Sequence, residues 1–279
     1  MRKINLQKGF TLVELAIVMT IIGLLIGGIL KGQELMQNAR ITSTVSQVKS
    51  YSAAVTTFKD MYQATPGDML NAGTRLVGCP GVSGAGCNPF VVAAPTVGTA
   101  GDTIVGTSNW SAAWGAPATT STGGNTGAVN VDGERYLFWA HLLLSNLIGG
   151  INADGLGAAT AFAFGVTNPA AKIGGGFVVG YDTGVIGPGS TQPANTGISG
   201  TILVQTASPT TALSTTAGAL PLAPLRAAQV DRKMDDGRPA TGYVQAYGVA
   251  ASCFTSAATL VFNETISTTD CGLMYRIEN

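Results

Sequence analysis

Between Phe10 and Leu30 the sequence reads FTLVELAIVMTIIGLLIGGIL, 21 residues with a single charged side chain, Glu14. As a helix this stretch is about 31 Å long, a match to the bilayer hydrocarbon core. A chain holding such a segment must place it in lipid or against other apolar surface. The carboxylate narrows the choice, because an acid deep in a membrane helix costs roughly 2.5–3.5 kcal/mol on insertion scales. Its presence asks for a partner. Arg2, Lys3 and Lys8 precede the segment, so the positive-inside rule puts residues 1–9 in the cytoplasm and the remainder beyond the inner membrane.

An ordinary secretory signal has a shorter apolar core, with its small-residue cleavage site after it. Here the candidate site, Gly9–Phe10, comes before the core. A cut there keeps the apolar helix as the new N-terminus, which is useful only if such helices bundle with one another. The run Lys8-Gly9-Phe10-Thr11-Leu12-Val13-Glu14-Leu15 resembles the class III signal of type IV pilins and of the pseudopilins of type II secretion. The resemblance implies cleavage after Gly9 by prepilin peptidase, N-methylation of Phe10, and a Glu14 that compensates the N-terminal amine of a neighbouring subunit. Physical chemistry supports the last role separately: both groups are poorly solvated in lipid, and pairing them offsets two desolvation costs. A signal anchor whose glutamate snorkels to the interface is the plainer alternative. The order of charge, glycine, aromatic and glutamate argues against it.

After Leu30 the pattern changes. Lys31, Glu34, Arg40, Lys49, Lys59 and Asp60 appear, while Ile41, Val45, Val48, Val55, Phe58 and Tyr62 recur at steps near three, four or seven. This is an amphipathic helical period. One helix is predicted from about Thr11 to about Tyr62, stopped by Thr65-Pro66-Gly67-Asp68. Gly23, Gly27 and Gly28 each weaken it by about 1 kcal/mol relative to alanine, but small residues also permit close helix approach in membranes. Pilins commonly carry a proline in this apolar half; this chain has none.

The full chain has 15 basic and 15 acidic side chains. Removal of residues 1–9 takes Arg2, Lys3 and Lys8 and leaves 12 basic against 15 acidic groups, a formal charge of −3. That balance disfavours a broad nucleic-acid surface. Charged residues are only 11% of the chain, and Gly, Ala, Ser and Thr fill the long connections, as in secreted or surface proteins. The four cysteines, Cys79, Cys87, Cys253 and Cys271, fit disulfides in an extracytoplasmic chain and admit three pairings. The local pairs Cys79–Cys87 and Cys253–Cys271 are favoured because each closes a short loop. The second loop also resembles the C-terminal disulfide loop of many pilins. With no Cys-x-x-Cys and one histidine, zinc is disfavoured.

The organisation read from the sequence is a leader (1–9), an N-terminal helix (10–62, with 10–30 the transmembrane or filament-core part) and a β-rich head (63–279). Within the head, helices are predicted over Glu134–Leu147, with Leu137, Ala140, Leu144 and Ile148 on one face and Asp132 as N-cap, and over Leu225–Met234 after Pro224. Strands are predicted at Phe177–Tyr181, Thr201–Gln205, Tyr243–Tyr247, Thr259–Phe262 and Leu273–Ile277. The segments 92–130 and 183–220 read mainly as loops or irregular strands. The fold class is therefore α+β, an antiparallel sheet packed on the amphipathic half of the long helix, as the pilin resemblance also implies.

Chemistry-bearing candidates in the head are few. His141, the single histidine, lies amid Trp139 and Leu142–Leu144 and reads as a packing or partly exposed residue, not as part of a triad. Gly155, Gly157 and Gly174–Gly176 lack the context of a phosphate loop. Asp235-Asp236-Gly237 invites a calcium reading, since some pilin-like heads bind calcium, but no EF-hand pattern surrounds it. A helix stop made of two turn-forming acids and a glycine is the competing reading. Trp110 and Trp114 are either core anchors or a stacking pair for a glycan or protein.

The function these features point to is structural, with no catalytic residues and no cofactor beyond calcium. The chain reads as a subunit of a type IV pilus or pilus-like filament, with a type II secretion pseudopilin, or a minor tip pilin binding a glycan, surface or DNA, as alternatives. The implied partners are prepilin peptidase/methyltransferase, identical or related pilin subunits, an inner-membrane assembly platform with its ATPase, and lipid before assembly. The implied locations are the inner membrane, with a periplasmic head, and then an extracellular pilus or periplasmic pseudopilus.

Overall fold

A helix of 51 residues, α1 (Leu12–Tyr62), opens the computed structural model, which describes residues 11–79, 87, 101, 103–105, 133–151, 163–183, 198–209, 216–255 and 260–277. The helix is continuous through Gly23, Gly27 and Gly28. It ends where Gln63 turns into the left-handed region (φ 51°), with the Gln63 N–H bonded to the Lys59 carbonyl at 2.8 Å. That is an αL C-cap closed three residues before Pro66. The Arg75 guanidinium donates to the freed Tyr62 carbonyl at 2.7 Å.

Contacts divide the chain into two units, Met1–Arg40 and Ile41–Asn279. In the first, the apolar side chains of α1 are exposed along its length, Leu12 by 85% and Leu24 by 78%. In the second, Ile41, Thr44, Val45, Val48, Tyr51, Ala54, Val55 and Phe58 are buried. Their three-and-four spacing is one face of a helix. They share a core with Phe138, Trp139 and Leu142 of α3 (Gly133–Leu144) and with Phe177, Val179, Leu203, Leu273 and Tyr275 of the sheet. Tyr51 meets Trp139 and Phe177 edge-on, with ring centroids 5.2 and 5.7 Å away.

The sheet holds β1 (Gly176–Thr183), β2 (Ser199–Thr206), β3 (Val244–Gly248) and β4 (Cys271–Arg276). Its order is β1-β2-β4-β3, and every pairing is antiparallel. Alternation sends Val178, Ile202, Val204, Met274 and Tyr247 to the opposite face, where they form a second cluster with Ile198 and Leu220. Gly272, paired with Tyr247, leaves the room that the phenol ring fills. A four-residue helix, α2 (Ala72–Arg75), and α4 (Pro224–Met234) complete the named elements. The arrangement is α+β and pilin-like.

Four predicted elements need correction. The helix expected over Glu134–Leu147 is α3, ending at Leu144. Asn146 adopts φ 58°, and the bonds Asn146 N–H to Leu143 O (2.9 Å) and Leu147 N–H to Leu142 O (3.0 Å) form a Schellman cap ahead of the Gly149-Gly150 pair. Among the described residues of the segment Thr259–Phe262, Phe262 makes only an isolated bridge to Phe254. Bonds from Thr255 N–H to Val261 O and from Asn263 N–H to Cys253 O turn this segment back on its own loop instead of into the sheet. The last two strands are shifted to Val244–Gly248 and Cys271–Arg276. Gly9, Phe10, Trp110, Trp114, Asp132, Gly155 and Gly157 lie outside the described residues.

Gln205 of β2, fully buried, ties the sheet together. Its amide donates to the Gly174 carbonyl (2.7 Å), its Oε1 accepts the Tyr275 hydroxyl (2.8 Å), and its backbone carbonyl accepts the Tyr247 hydroxyl (2.8 Å). Gln205→Leu would leave the Tyr275 hydroxyl and the Gly174 carbonyl without partners in the core. A loss of about 2–3 kcal/mol is expected, read as a lower urea midpoint for the detergent-solubilised chain.

Candidate functional site

The first turn of α1 is built by Thr11 and Glu14. Thr11 stands just outside the helix, and its carbonyl accepts the first helical bond from Leu15 N–H at 3.3 Å. Glu14 Oε2 accepts the Thr11 N–H (2.9 Å) and the Thr11 hydroxyl (2.8 Å), and Thr11 Oγ1 accepts the Glu14 N–H (3.3 Å). This reciprocal pair is a capping box, which satisfies two main-chain donors at the open end of the helix. Thr11 is a site residue that the expectation for Glu14 leaves out; the Thr-x-x-Glu spacing in the sequence is its signal. The remaining oxygen, Glu14 Oε1, has no hydrogen-bond partner among the described residues. Downstream, a Cβ added at Gly23, Gly27, Gly28 or Gly32 would meet nothing within 4 Å, so the helix surface at these positions is open to close approach.

In the head, Asp235 and Asp236 form the turn between α4 and β3. Asp235 Oδ2 accepts the N–H groups of Tyr243 and Val244, the latter at 3.0 Å. Asp236 accepts the Arg238 N–H at 2.8 Å through Oδ1 and the Thr241 hydroxyl through Oδ2. Gly242, at φ +84°, is required because a Cβ there would collide with the Asp235 carboxylate. The Asp-Asp-Gly run thus closes a loop. Asp231, one helical turn earlier, joins the two, with one oxygen of each carboxylate within 4.8 Å of the others. It is fully buried, and its Oδ2 has no hydrogen-bond partner. Burial pushes its carboxyl up to about 7, the Gly237 N–H opposing the rise and the charges of Asp236 and Asp235 adding to it. These three carboxylates are the group among the described residues with the donor set for a cation. Asp231 was not anticipated, although the i, i+4 spacing to Asp235 carries it.

His141 is buried in the head. The ring is fully buried and stacked on Phe58 (10°, centroids 6.1 Å apart). Nδ1 lies 2.9 Å from the Gly67 nitrogen and Nε2 lies 2.8 Å from the Cys87 carbonyl oxygen. A backbone N–H can only donate and a carbonyl can only accept, so the ring is the neutral tautomer protonated on Nε2. Burial holds its pKa down to about 4, partly countered by the Cys87 carbonyl. Cys79 is bonded to Cys87 and Cys253 to Cys271, with Cα atoms 5.8 and 5.1 Å apart.

Comparison with protein families finds a prokaryotic N-terminal methylation motif across residues 4–30. No curated protein and no solved structure matched the chain.

The depressed His141 value sets a pH dependence. A group whose pKa is about 4 in the fold and about 6.5 unfolded contributes its full stability above pH 6.5 and loses it as pH falls toward 4. Asp231 titrates in the opposite sense over the same range, so a paired comparison isolates the histidine. The stability advantage of the wild type over His141→Gln should shrink by about 3 kcal/mol between pH 7 and pH 4, measured by denaturation at each pH.

Proposed function

We propose that this chain, which carries the prepilin signal of the type IV pilin and pseudopilin superfamily in residues 4–30, is a structural subunit of a type IV pilus or pilus-like filament. The observation that carries the reading is the first half of α1. It is the one helix among the described residues long and apolar enough to cross a membrane, and none of its apolar window is buried within the chain. Such a surface is stable in lipid before assembly and against other copies of the same helix afterwards.

On this reading prepilin peptidase cuts after Gly9 and methylates Phe10, and the retained helix anchors the subunit with its head in the periplasm. Glu14, held by Thr11 through one oxygen, offers the other to the terminal amine of a neighbour. An inner-membrane platform and its ATPase supply the work of extension. A pseudopilin of type II secretion uses the same parts. A minor tip pilin adds a ligand, glycan, surface or DNA, to the head. Sheared surface filaments containing the chain support the pilus reading; a secretion defect without filaments supports the pseudopilin; low copy number with labelling confined to the tip supports the adhesin.

Glu14→Val should be inserted and cleaved normally yet yield few filaments. The mature wild type should begin at Phe10 and weigh one methyl group more than its sequence. Intact mass and filament yield check both, and normal filament yield from Glu14→Val removes the assembly role.

Calcium bound at the Asp235-Asp236 turn is a second element of the reading, supported by the unpartnered oxygen of Asp231 beside it. Calcium should then raise the melting temperature relative to chelated protein, and Asp235→Ala with Asp236→Ala should abolish the rise. Equal melting temperatures with calcium and chelator would leave the loop closed by its own donors alone.

A further inference from the structure

The turn that follows α1, the disulfide-bonded Cys87 and helix α3 meet at one side chain, His141. Gly67 sits in that turn at φ +88°, so close to α3 that a Cβ there would collide with the Glu134 carbonyl. Its N–H is bonded to His141 Nδ1. The other face of the imidazole is set by the Cys87 carbonyl, and Cys87 is joined to the chain just beyond α2 by its bond to Cys79. Phe58, from the last turns of α1, stacks on the same ring. The imidazole therefore connects a covalent bond that can be made or broken to the main chain that ends the longest helix.

We propose that the Cys79–Cys87 disulfide is a redox latch on the C-terminal end of α1, acting through His141. With the bond formed, the Cys87 carbonyl is fixed opposite Nε2, the proton stays on that nitrogen, and Nδ1 keeps its lone pair for Gly67. Reduction by a dithiol transfers two electrons and two protons to the pair. The sulfur–sulfur bond breaks, Cys79 and Cys87 become thiols, and the sulfurs of the reductant join as its own disulfide. Oxidation by a disulfide-bearing oxidant is the reverse. Once reduced, the Cys87 carbonyl loses its covalent tie to Cys79 and keeps its place through core packing and the hydrogen bond alone. The Nε2 proton then loses a fixed acceptor and the Gly67 N–H loses a fixed tautomer. Cys253–Cys271 is not part of this connection; its residues lie at β4 and in the loop after β3.

The consequence for a filament subunit rests on the reading proposed above: the helix end would be locked to its head only after oxidation outside the inner membrane. The latch itself is a property of the single subunit and is tested there, so its failure and the failure of the filament reading are separate results.

A single histidine makes the test direct. The full-length chain, labelled on histidine with carbon-13 and nitrogen-15 and held in detergent micelles, gives one set of imidazole resonances. In the oxidised wild type these should report the Nε2-protonated neutral ring, titrating near 4. In Cys79→Ser with Cys87→Ser the midpoint should move toward the ordinary 6.5 and the two tautomers should mix, while Cys253→Ser with Cys271→Ser leaves the signals in place. Linkage supplies a second arm that needs no cysteine variant, because coupling between two sites is reciprocal. His141→Ala should shift the dithiothreitol concentration that half-reduces Cys79–Cys87 about tenfold lower, as a coupling of 1.4 kcal/mol would, with Cys253–Cys271 unchanged. An imidazole with wild-type tautomer and titration in the serine pair, or an unchanged reduction midpoint in His141→Ala, overturns the latch.

Discussion

The helix α1 must suit two surroundings with one uninterrupted backbone. Its first half is apolar on all sides, and none of its apolar window is buried within the chain. Its second half buries only the stripe from Ile41 to Phe58. Water cannot satisfy helix-end donors in hydrocarbon, so every main-chain group there needs a partner within the protein. The capping box of Thr11 and Glu14 meets part of that demand. The acid in the apolar segment is thus already used within the single chain: it bonds the Thr11 amide and hydroxyl and adds negative charge to the positive end of the helix dipole.

A different economy governs the head. With charged residues at only 11% of the chain, its aspartates serve chiefly as clamps for loops. Asp68 takes the N–H groups of Gly101 and Thr103. Asp235 takes those of Tyr243 and Val244, and Asp270 takes that of Gly218 at 2.7 Å. Hydrogen bonds from main-chain donors to a carboxylate are stronger than neutral ones. They suit glycine-rich connections, which lose much conformational freedom on folding and offer few side chains to pack. The two disulfides close short loops, and the His141 bridge joins segments distant in sequence.

Much of this was legible in the sequence because it follows from periodicity. The span of α1 follows from apolar spacing, the position of α4 from Pro224 and Gly237, and the approximate placing of four strands from short runs rich in β-forming residues. The end of α3 did not, because Asn146 in the left-handed region competes with the more conspicuous Gly149-Gly150. The Thr259–Phe262 segment looked like a strand because its composition is right for one; local pairing inside the Cys253–Cys271 loop took its hydrogen bonds instead. At the sites, Glu14 was legible as a charge out of place. The two partners of His141 were not, since long-range contacts such as Gly67–His141 and His141–Cys87 leave no local pattern; Asp231 has such a pattern in its i, i+4 spacing to Asp235, but its burial does not show in the sequence.

Thr11 and Glu14 also bear on how a carboxylate could serve two partners in turn. The cap uses Oε2 for both Thr11 donors; in the proposed assembly role Oε1 would take the cationic group. On the proposed assembly role, an incoming amine would meet an acceptor already oriented by the helix, and the first turn would not need to unwind to receive it. Preorganisation of this kind lowers the ordering cost of association. An aspartate at position 14 would keep the charge but lose a methylene, pulling the carboxylate back from Thr11 N–H and shortening its reach to a neighbour at the same time. Charge alone is therefore too weak a description of position 14. The length of the side chain and the threonine three residues before it belong to the same device.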